Sequence, residues 1–270
     1  MISVVLATHN EEKNLSRCLE SVRAFADEII VVDGESSDDT VKIAKKFKSK
    51  LIKTTNKANF HINKQMGMDR ARGKLILQLD ADEVVDEALK NFILELNNKL
   101  EASSYKQILN FKISSSELPV AWWIKRKNLF LGRWLKKGGQ YPDPVIRLYI
   151  NGYAKLPKKD VHEQMKVNGK VSWAKGHLLH YSNPEFKDYM EKFNRYTSFK
   201  AQQLETKKVK VNMKNSFLYL IWMPLSTFFS LFIRHKGFID RVAGFVFALF
   251  SGLHHAVAYL KLWEMSRKAG

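Results

Sequence analysis

The sequence has a single cysteine, Cys18, among its 270 residues. One cysteine excludes an intramolecular disulfide, which fits a reducing compartment. Acidic residues are also in short supply, because 27 Asp and Glu stand against 45 Lys and Arg, and the net charge is +18. This charge predicts an anionic partner, such as phosphate groups, nucleic acid or an acidic lipid surface.

The N-terminal sequence, MISVVLATHNEE, lacks a basic leader and a long apolar run. It is typical of a β-strand rather than of a signal peptide, so the first domain is expected to stay in the cytoplasm. Hydrophobic residues make up 45% of the chain, which is enough to bury a large core and argues against disorder.

Strand-like and helix-like segments alternate over the first 100 residues. The predicted strands cover 2–8, 28–32, 51–54 and 75–79, and the predicted helices lie near 15–22, 40–47, 59–72 and 86–100. This alternation predicts an α/β domain with a mostly parallel, doubly wound sheet. Ligands bind beyond the carboxyl ends of such strands, which selects the loops at 8–11, 33–40 and 80–83.

The middle of the chain is less regular. Strands are expected at 108–113, 145–149 and 171–174. A long helix should then begin where Asn183 can act as N-cap and Pro184 can occupy the first turn.

The C-terminal part contains two uncharged stretches of helical length, 215–233 and 242–260. Each is near the length needed to cross a bilayer. Basic residues lie both in the turn between them and on both flanks, which opposes a spanning hairpin. We therefore favour a monotopic or re-entrant helical pair on an anionic membrane surface. Two helices packed inside a larger soluble fold remain an alternative.

The sequence LILQLDADE places Asp80 and Asp82 directly after a buried strand. Carboxylate oxygens there can hold Mg²⁺ or Mn²⁺ against a pyrophosphate. Asp33 ends another strand at the same edge and can accept hydrogen bonds from a base or a sugar. Ser37, Asp38 or Asp39 suits the capping of the next helix, which would leave Asp33 free for a ligand.

A polar turn follows the first strand and can cradle a nucleoside; it contains Thr8, Asn10 and Glu11. Glu11 is equally suited to the first turn of a helix, where the dipole favours an acid. A second feature is a run of six basic residues between Trp122 and Lys137, interleaved with aromatic residues and free of acids. This run suits an anionic membrane interface or a phosphorylated, lipid-linked acceptor.

The chain resembles glycosyltransferase family 2, which has the Rossmann-like GT-A fold, in three successive motifs: ISVVLATHNEEKNLSRCLESV, EIIVVDGESSDDT and QMGMDRARGKLILQLDADE. Three later motifs resemble a narrower branch with glucosyltransferases of lipopolysaccharide inner-core synthesis: YPDPVIRLY, KDVHE and LLHYS. The resemblance implies a GT-A domain, a hydrophobic helical C-terminal extension and transfer of a hexose, such as glucose, from a UDP-sugar to a lipid-linked or cell-surface oligosaccharide.

The resemblance also implies roles for individual residues. Asp33 resembles the uracil-binding aspartate, and Thr8, Asn10 and Glu11 lie in the nucleoside-binding turn. Asp80 resembles a ribose and metal contact, Asp82 the direct metal ligand, and His180 a late histidine that completes the metal site. Arg147 can contact phosphate, or it can be a surface arginine in a salt bridge.

The family's inverting mechanism is a single displacement that needs one carboxylate to take the acceptor's proton. Glu163 is the candidate base, and Asp160 is the alternate. The expected division is a nucleotide-sugar-binding half at 1–104, an acceptor-side half at 105–206 and a membrane-associated tail at 207–270. The expected location is the cytoplasmic face of the cell membrane.

Two other functional classes compete with this interpretation. A nucleotidyltransferase usually has a Gly-rich loop near the first strand, yet this sequence has no glycine before Gly34. A non-catalytic basic protein that binds membranes or nucleic acid would explain the charge. It would leave the acids at three strand ends unexplained, since they repel phosphate, so nucleic acid is not the expected partner.

Overall fold

The structure is a computed structural model that describes residues 1–57, 59–102, 118–157 and 164–268. Its strands are β1 (Ile2–Thr8), β2 (Glu28–Gly34), β3 (Lys50–Thr54), β4 (Leu75–Leu79), β5 (Glu83–Val85), β6 (Pro119–Phe130), β7 (Arg133–Trp134), β8 (Pro144–Ile150), β9 (Ala154–Lys155), β10 (Lys166–Val167) and β11 (Lys170–Asn183). Its long helices are α1 (Glu12–Val22), α2 (Thr40–Lys46), α3 (His61–Met68), α4 (Glu87–Glu101), α5 (Phe186–Thr206), α6 (Met213–Arg234) and α7 (Arg241–Lys268).

The chain divides into two compact units. The first contains Met1–Arg126 and Pro144–His180, and the second contains Lys127–Asp143 and Tyr181–Gly270. The functional division expected at residues 104 and 206 concerns roles rather than compactness, so it stays a prediction.

The first unit is built on a mixed sheet with the strand order β3-β2-β1-β4-β8-β6-β11-β5. Strands β3, β2, β1 and β4 run parallel, whereas β8 is antiparallel to both β4 and β6, and β5 is antiparallel to β11. The α/β class with a mostly parallel first half and long apolar C-terminal helices is thus confirmed. The carboxyl ends of β1, β2 and β4 meet at one edge, as the alternation predicted.

Helices cover both faces of this sheet. Leu15 of α1 and Leu89 of α4 belong to the core on one face, and Met68 of α3 belongs to the core on the other. All five residues of β4 are buried because this strand is covered on both sides. Gly67 allows α3 to lie close to the sheet, since a Cβ there would stand 2.6 Å from Val5 Cγ1.

Helix α3 is shorter than the 59–72 expected from its pattern. The helix ends at Met68 because the chain must then pass beside Ser3, whose Oγ accepts the Gly73 N–H at 2.8 Å. A Cβ on Gly73 would lie 2.7 Å from the Ser3 nitrogen, so the absence of a side chain at this position allows the two segments to pack closely.

The helix expected to begin at Asn183 also starts later. Asn183 still belongs to β11, where its carbonyl accepts the Leu131 N–H at 3.0 Å, and the helix begins at Phe186 with Glu185 at the N-cap position. The strand expected at 171–174 is part of this longer β11. The strand expected at 108–113 lies outside the described residues.

The second unit contains α5, α6 and α7. None of the α6 side chains is buried, and two π-helical turns, Leu218–Trp222 and Ser230–Arg234, interrupt it. Helix α7 is covered along part of its length by α5, where the Phe193 and Phe250 rings pack edge to face with centroids 5.6 Å apart. Both α6 and the C-terminal stretch Gly237–Lys268 are long and apolar enough to cross a membrane by length and composition.

Candidate active site

The loops after β1 and β2 are hydrogen-bonded to each other at the carboxyl edge of the sheet. The Asn10 backbone N–H donates to Ser36 Oγ at 2.9 Å, and Asn10 Oδ1 accepts the Ser37 N–H at 2.8 Å. The Glu11 N–H donates to Thr40 Oγ1 at 2.7 Å. Hydrogen bonds to the neighbouring loop therefore hold the predicted nucleoside-binding loop in place. Within it, Asn10 has a left-handed backbone conformation with φ of 55°.

Asp33 lies beneath these loops and is 3% exposed. Its Oδ2 accepts the Ser36 N–H at 3.1 Å, and Thr8 Oγ1 donates to its Oδ1 at 3.4 Å. The carboxylate of Asp33 thus also holds the turn after β2. Asp38 forms the turn just before α2, since its Oδ1 accepts the Thr40 N–H at 3.0 Å, whereas the N-cap residue Asp39 makes no side-chain cap hydrogen bond. A contact between Asp33 and a base stays a prediction.

The acidic turn after β4 is the centre of the site. Both carboxylate oxygens of Asp80 are engaged: Oδ1 by Lys64 Nζ from α3, and Oδ2 by Arg147 Nη2 from β8. Arg147 Nη1 also donates to Gln78 Oε1. Lys64 and Arg147 are buried, so charge-assisted contacts fix the orientation of Asp80.

Glu83 closes this turn. It is fully buried, and its Oε2 accepts the Asp80 N–H at 2.9 Å. Its Oε1 lies 3.4 Å from a guanidinium nitrogen of Arg126 and 3.4 Å from one of Arg147. Two carboxylates and three cations thus form one connected network at the end of β4.

The charges in this network shift the pKa values of its members. Burial would raise the pKa of Asp80, but the positive charges of Arg147 and Lys64 hold that pKa well below its ordinary value. Burial lowers the pKa of Lys64, an effect that the Asp80 carboxylate partly offsets. Burial alone would lower the pKa of Arg147, but Asp80 and then Glu83 raise it. Asp80 is therefore ionised at neutral pH and paired with two cations.

The other acid of the turn faces a histidine. Asp82 Oδ2 lies 3.3 Å from His180 Nε2, and both side chains are partly buried. This pairing follows from the sheet, because β5 and β11 place His180 opposite Glu83. Two of the three predicted metal ligands therefore meet, whereas the Asp80 carboxylate turns towards Lys64 and Arg147.

The chemistry of this pair fits a divalent cation. Two ligand atoms each about 2.1 Å from one ion, on neighbouring coordination positions, stand about 3 Å apart. The separation between Asp82 Oδ2 and His180 Nε2 is compatible with that arrangement. Among the described residues no cluster of three or more His, Cys, Asp or Glu side chains is arranged around one point. Oxygens of a bound diphosphate and water can complete the coordination of such an ion.

Sequence patterns did not identify four residues of the network: Lys64, Gln78, Glu83 and Arg126. Gln78 carried the clearest signal, since a polar residue stands within the apolar run LILQL. Glu83 was visible as the last letter of DADE. The other two carried no signal, because a lysine on a helix and an arginine in a basic run are ordinarily solvated. The candidate bases Glu163 and Asp160 lie outside the described residues.

The fold and this site define the class of protein. The strand ends at one sheet edge carry two hydrogen-bonded loops, an Asp-x-Asp turn and buried cations. Residues 3–155 match the profile of glycosyl transferase family 2. The chain belongs to that family and is a glycosyltransferase, which sets aside the nucleotidyltransferase and the non-catalytic binding protein.

Relatives match along nearly the whole chain. An uncharacterised glycosyltransferase of Rickettsia typhi is 28% identical over 277 residues, which cover 99% of this chain and 88% of the relative. The lipopolysaccharide core biosynthesis glycosyltransferase LpsC of Rhizobium meliloti is 26% identical over 269 residues, covering 92% and 88%. Among solved structures, TarS of S. aureus (residues 1–349) in complex with UDP-GlcNAc matches with a TM-score of 0.46 and 16% identity over 94% of this chain and 81% of that one.

A prediction about acid stability follows from the paired state of Asp80. Its pKa is lowered in the folded chain, so its contribution to stability is present above the unfolded pKa of about 3.9 and is lost as the pH falls below it. Asp80→Asn should lower the free energy of unfolding by about 3 kcal/mol at pH 7, because the buried Lys64 loses its carboxylate partner and Arg147 keeps only its contacts with Glu83 and Gln78 among those described.

Urea denaturation of the full chain between pH 3 and pH 7 measures this effect. The difference between wild type and Asp80→Asn should narrow below pH 4 by about 1.4 kcal/mol per pH unit. The matched control is Asp39→Asn, which removes an exposed acid in a surface pair with Lys42 and should change stability little. A difference independent of pH would contradict the ionised, paired state of Asp80.

Proposed function

We propose that this glycosyltransferase transfers a hexose, such as glucose, from a UDP-sugar to a hydroxyl of a lipid-linked or cell-surface oligosaccharide, with inversion at the anomeric carbon. The observation that carries the proposal is the turn from Asp80 to Glu83, fixed by buried cations where the parallel strands end. The relative named for lipopolysaccharide core biosynthesis supports an acceptor of that class.

The nucleoside would lie over the two joined loops. Thr8, Asn10 and Glu11 line the first loop, and Asp33 supports the second through the Ser36 N–H. Because these loops are already hydrogen-bonded to each other, the nucleoside would meet a preorganised surface and would lose less free energy in ordering it. The diphosphate would extend from there towards Asp82 and His180.

Asp82 and His180 are the residues that would hold Mg²⁺ or Mn²⁺, together with diphosphate oxygens. A divalent cation supplies charge stabilisation to the leaving nucleoside diphosphate. A role of Asp80 as a further metal or ribose contact stays a prediction. Lys64 and Arg147 lie beside this position and add fixed positive charge, which favours binding of the anionic donor.

The acceptor proton must pass to a base, for which we propose Glu163 with Asp160 as the alternate. The described residues that precede this segment are tied to α3. The Pro157 carbonyl lies 3.0 Å from His61 Nδ1, and the Leu156 N–H donates to Gln65 Oε1 at 2.8 Å. Helix α3 is also the element that carries Lys64 to Asp80. The last described residues before the proposed base are thus held against the helix that carries Lys64.

The α6 helix supports attachment to a membrane. Its apolar side chains are exposed in a continuous set: Phe217, Leu220, Ile221, Trp222, Leu225, Phe229 and Ile233. An exposed apolar surface of this extent is typical of a membrane or protein contact. Basic residues flank the helix at Lys214 and Arg234, as expected for an anionic bilayer surface.

The turn after α6 favours helices that lie in the interface over helices that span the bilayer. Asp240 Oδ2 accepts the N–H groups of Lys136 and Lys137 at 2.9 and 2.8 Å, and the His235 carbonyl accepts the Gly138 N–H at 3.0 Å. A spanning hairpin would have to carry this basic segment across the bilayer together with the turn, at a high cost in free energy. We propose a monotopic pair on the cytoplasmic face.

The donor and metal proposals are tested by a hydrolysis screen of the purified full chain with a panel of nucleotide sugars, with and without Mn²⁺. We expect UDP release from a UDP-sugar that depends on Mn²⁺. Asp82→Asn should lower this turnover at least about a hundredfold while the chain stays folded, because one ligand and one charge are lost. Glu87→Gln, at an exposed acid on α4 that pairs with Lys90, serves as the control and should keep full turnover. Full activity in EDTA, or in Asp82→Asn, would sink this proposal.

The base is tested by comparing two variants. Glu163→Gln keeps the shape of the side chain but cannot take a proton, so transfer should fall about 10²- to 10⁴-fold while UDP-sugar binding stays normal. Asp160→Asn is the matched variant and should retain transfer. If the two results are reversed, Asp160 is the base; if both variants retain transfer, neither is.

The orientation of the α6–α7 turn is tested by labelling. The chain offers a clean background, because Cys18 is buried. A membrane-impermeant maleimide should label neither Lys236→Cys nor Lys268→Cys in intact spheroplasts, and should label both in inverted vesicles. Labelling of Lys236→Cys alone in spheroplasts would show that the turn crosses the membrane.

A further inference from the structure

Two tryptophans, one half-buried and one exposed, pack against each other on the first unit. The ring centroids of Trp123 on β6 and Trp173 on β11 are 6.2 Å apart, and their planes differ by 34°. Trp173 is 52% exposed, which is unusual for the largest apolar side chain. Lys125 places its ammonium group 5.9 Å from the centre of the Trp173 ring. We call these three residues the tryptophan platform.

The platform lies on the face of the sheet that carries α3. Trp123 is paired with Ile146, which packs against the core cluster that contains Met68 of α3. Cross-strand partners share a face, so Trp123 shares the face from which Lys64 reaches Asp80. Its neighbour Trp122 points to the opposite face, where it is 4% exposed and contacts Phe92.

The platform is also next to the acidic turn along the sheet. The register of the β6–β8 pairing shifts between Trp122, which pairs with Leu148, and Trp123, which pairs with Ile146. Arg147 therefore lies opposite the peptide bond between the two tryptophans. Neighbouring strands are about 5 Å apart, so the Trp123 backbone is one strand away from the residue that binds Asp80. A glycan of several rings that stacks on the platform would therefore be able to extend towards the donor site.

The chemistry of the platform selects a sugar ring with an anionic substituent. Tryptophan offers a large, flat apolar face, on which the C–H face of a pyranose can stack. The surroundings are basic rather than apolar, because Lys125 stands over the ring and Lys175, two residues after Trp173 on the same strand face, is exposed. A membrane contact would favour a continuous apolar surface instead, as on α6.

We infer that the tryptophan platform binds an anionic oligosaccharide, the acceptor of the transfer reaction. This inference rests on the proposed function and names the substrate class that the acceptor side would take. Stacking on Trp173 and Trp123 would supply affinity, and Lys125 would select a phosphate or carboxylate on the glycan.

The test uses the full chain in mild detergent and, as the probe, core oligosaccharide released from lipopolysaccharide by mild acid. Calorimetry gives its Kd before and after chemical removal of the phosphate groups. Trp173→Ala should raise this Kd about tenfold. Lys125→Ala should abolish the preference for the phosphorylated probe. UDP affinity, measured in parallel, reports that each variant is folded.

Trp263→Ala is the matched control, because Trp263 is also exposed and carries a cation, Arg267, 5.3 Å from its ring centre. This variant should bind the oligosaccharide as wild type does. Flotation with phosphatidylglycerol vesicles provides the other arm. If Trp173→Ala loses vesicle binding but keeps oligosaccharide affinity, the platform is a membrane contact and the inference is wrong.

Two further outcomes would also overturn the inference: no binding of the probe by wild type, or an unchanged Kd in Trp173→Ala. Failure of the proposed function is recognised separately. In that case no nucleotide sugar would be hydrolysed by wild type, whatever the oligosaccharide titrations show.

Discussion

The contact of Asp80 with Lys64 and Arg147 connects three elements of the first unit. Lys64 comes from α3, Asp80 follows β4 and Arg147 comes from β8, so one carboxylate joins the helix layer to two neighbouring strands. The two buried cations would be costly without it, because an isolated buried charge is strongly unfavourable. The close packing that Gly67 allows is what brings Lys64 within reach.

The site draws on both halves of the mixed sheet, and each half supplies a different chemistry. The parallel strands β1 and β2 end in the loops proposed for the nucleoside. The antiparallel strands β8 and β11 bring in Arg147 and His180, which lie far from the Asp-x-Asp turn in sequence. The antiparallel register of β5 and β11 thus determines which histidine faces Asp82.

The first half of the fold was predictable because its signals are local. Apolar runs of four to seven residues, each ending in a polar turn, fixed the strands and the edge where Asp80 and Asp82 lie. The partners of Asp80 were not predictable, since Lys64 and Arg147 are joined to it only by the packing of α3 and the pairing of β8. The hydrogen bond from the Ser36 N–H to Asp33 was not predictable either, because hydrophobic patterns do not encode the turn that it closes.

The positively charged residues of the chain do not all lie on one surface. In the basic run before Lys137, Arg126 turns to Glu83, Lys125 stands over Trp173, and Lys136 donates its backbone N–H to Asp240. The three residues therefore have different roles. Arg126 belongs to the charged site, Lys125 faces the ring proposed to bind an anionic sugar, and Lys136 holds the turn between α6 and α7. A lipid-linked anionic oligosaccharide carries an apolar chain and a charged glycan in one molecule. If the proposed acceptor is correct, the tryptophan platform of the first unit would bind its glycan, and the exposed apolar helix of the second unit would bind the membrane, so each surface would have its own chemistry.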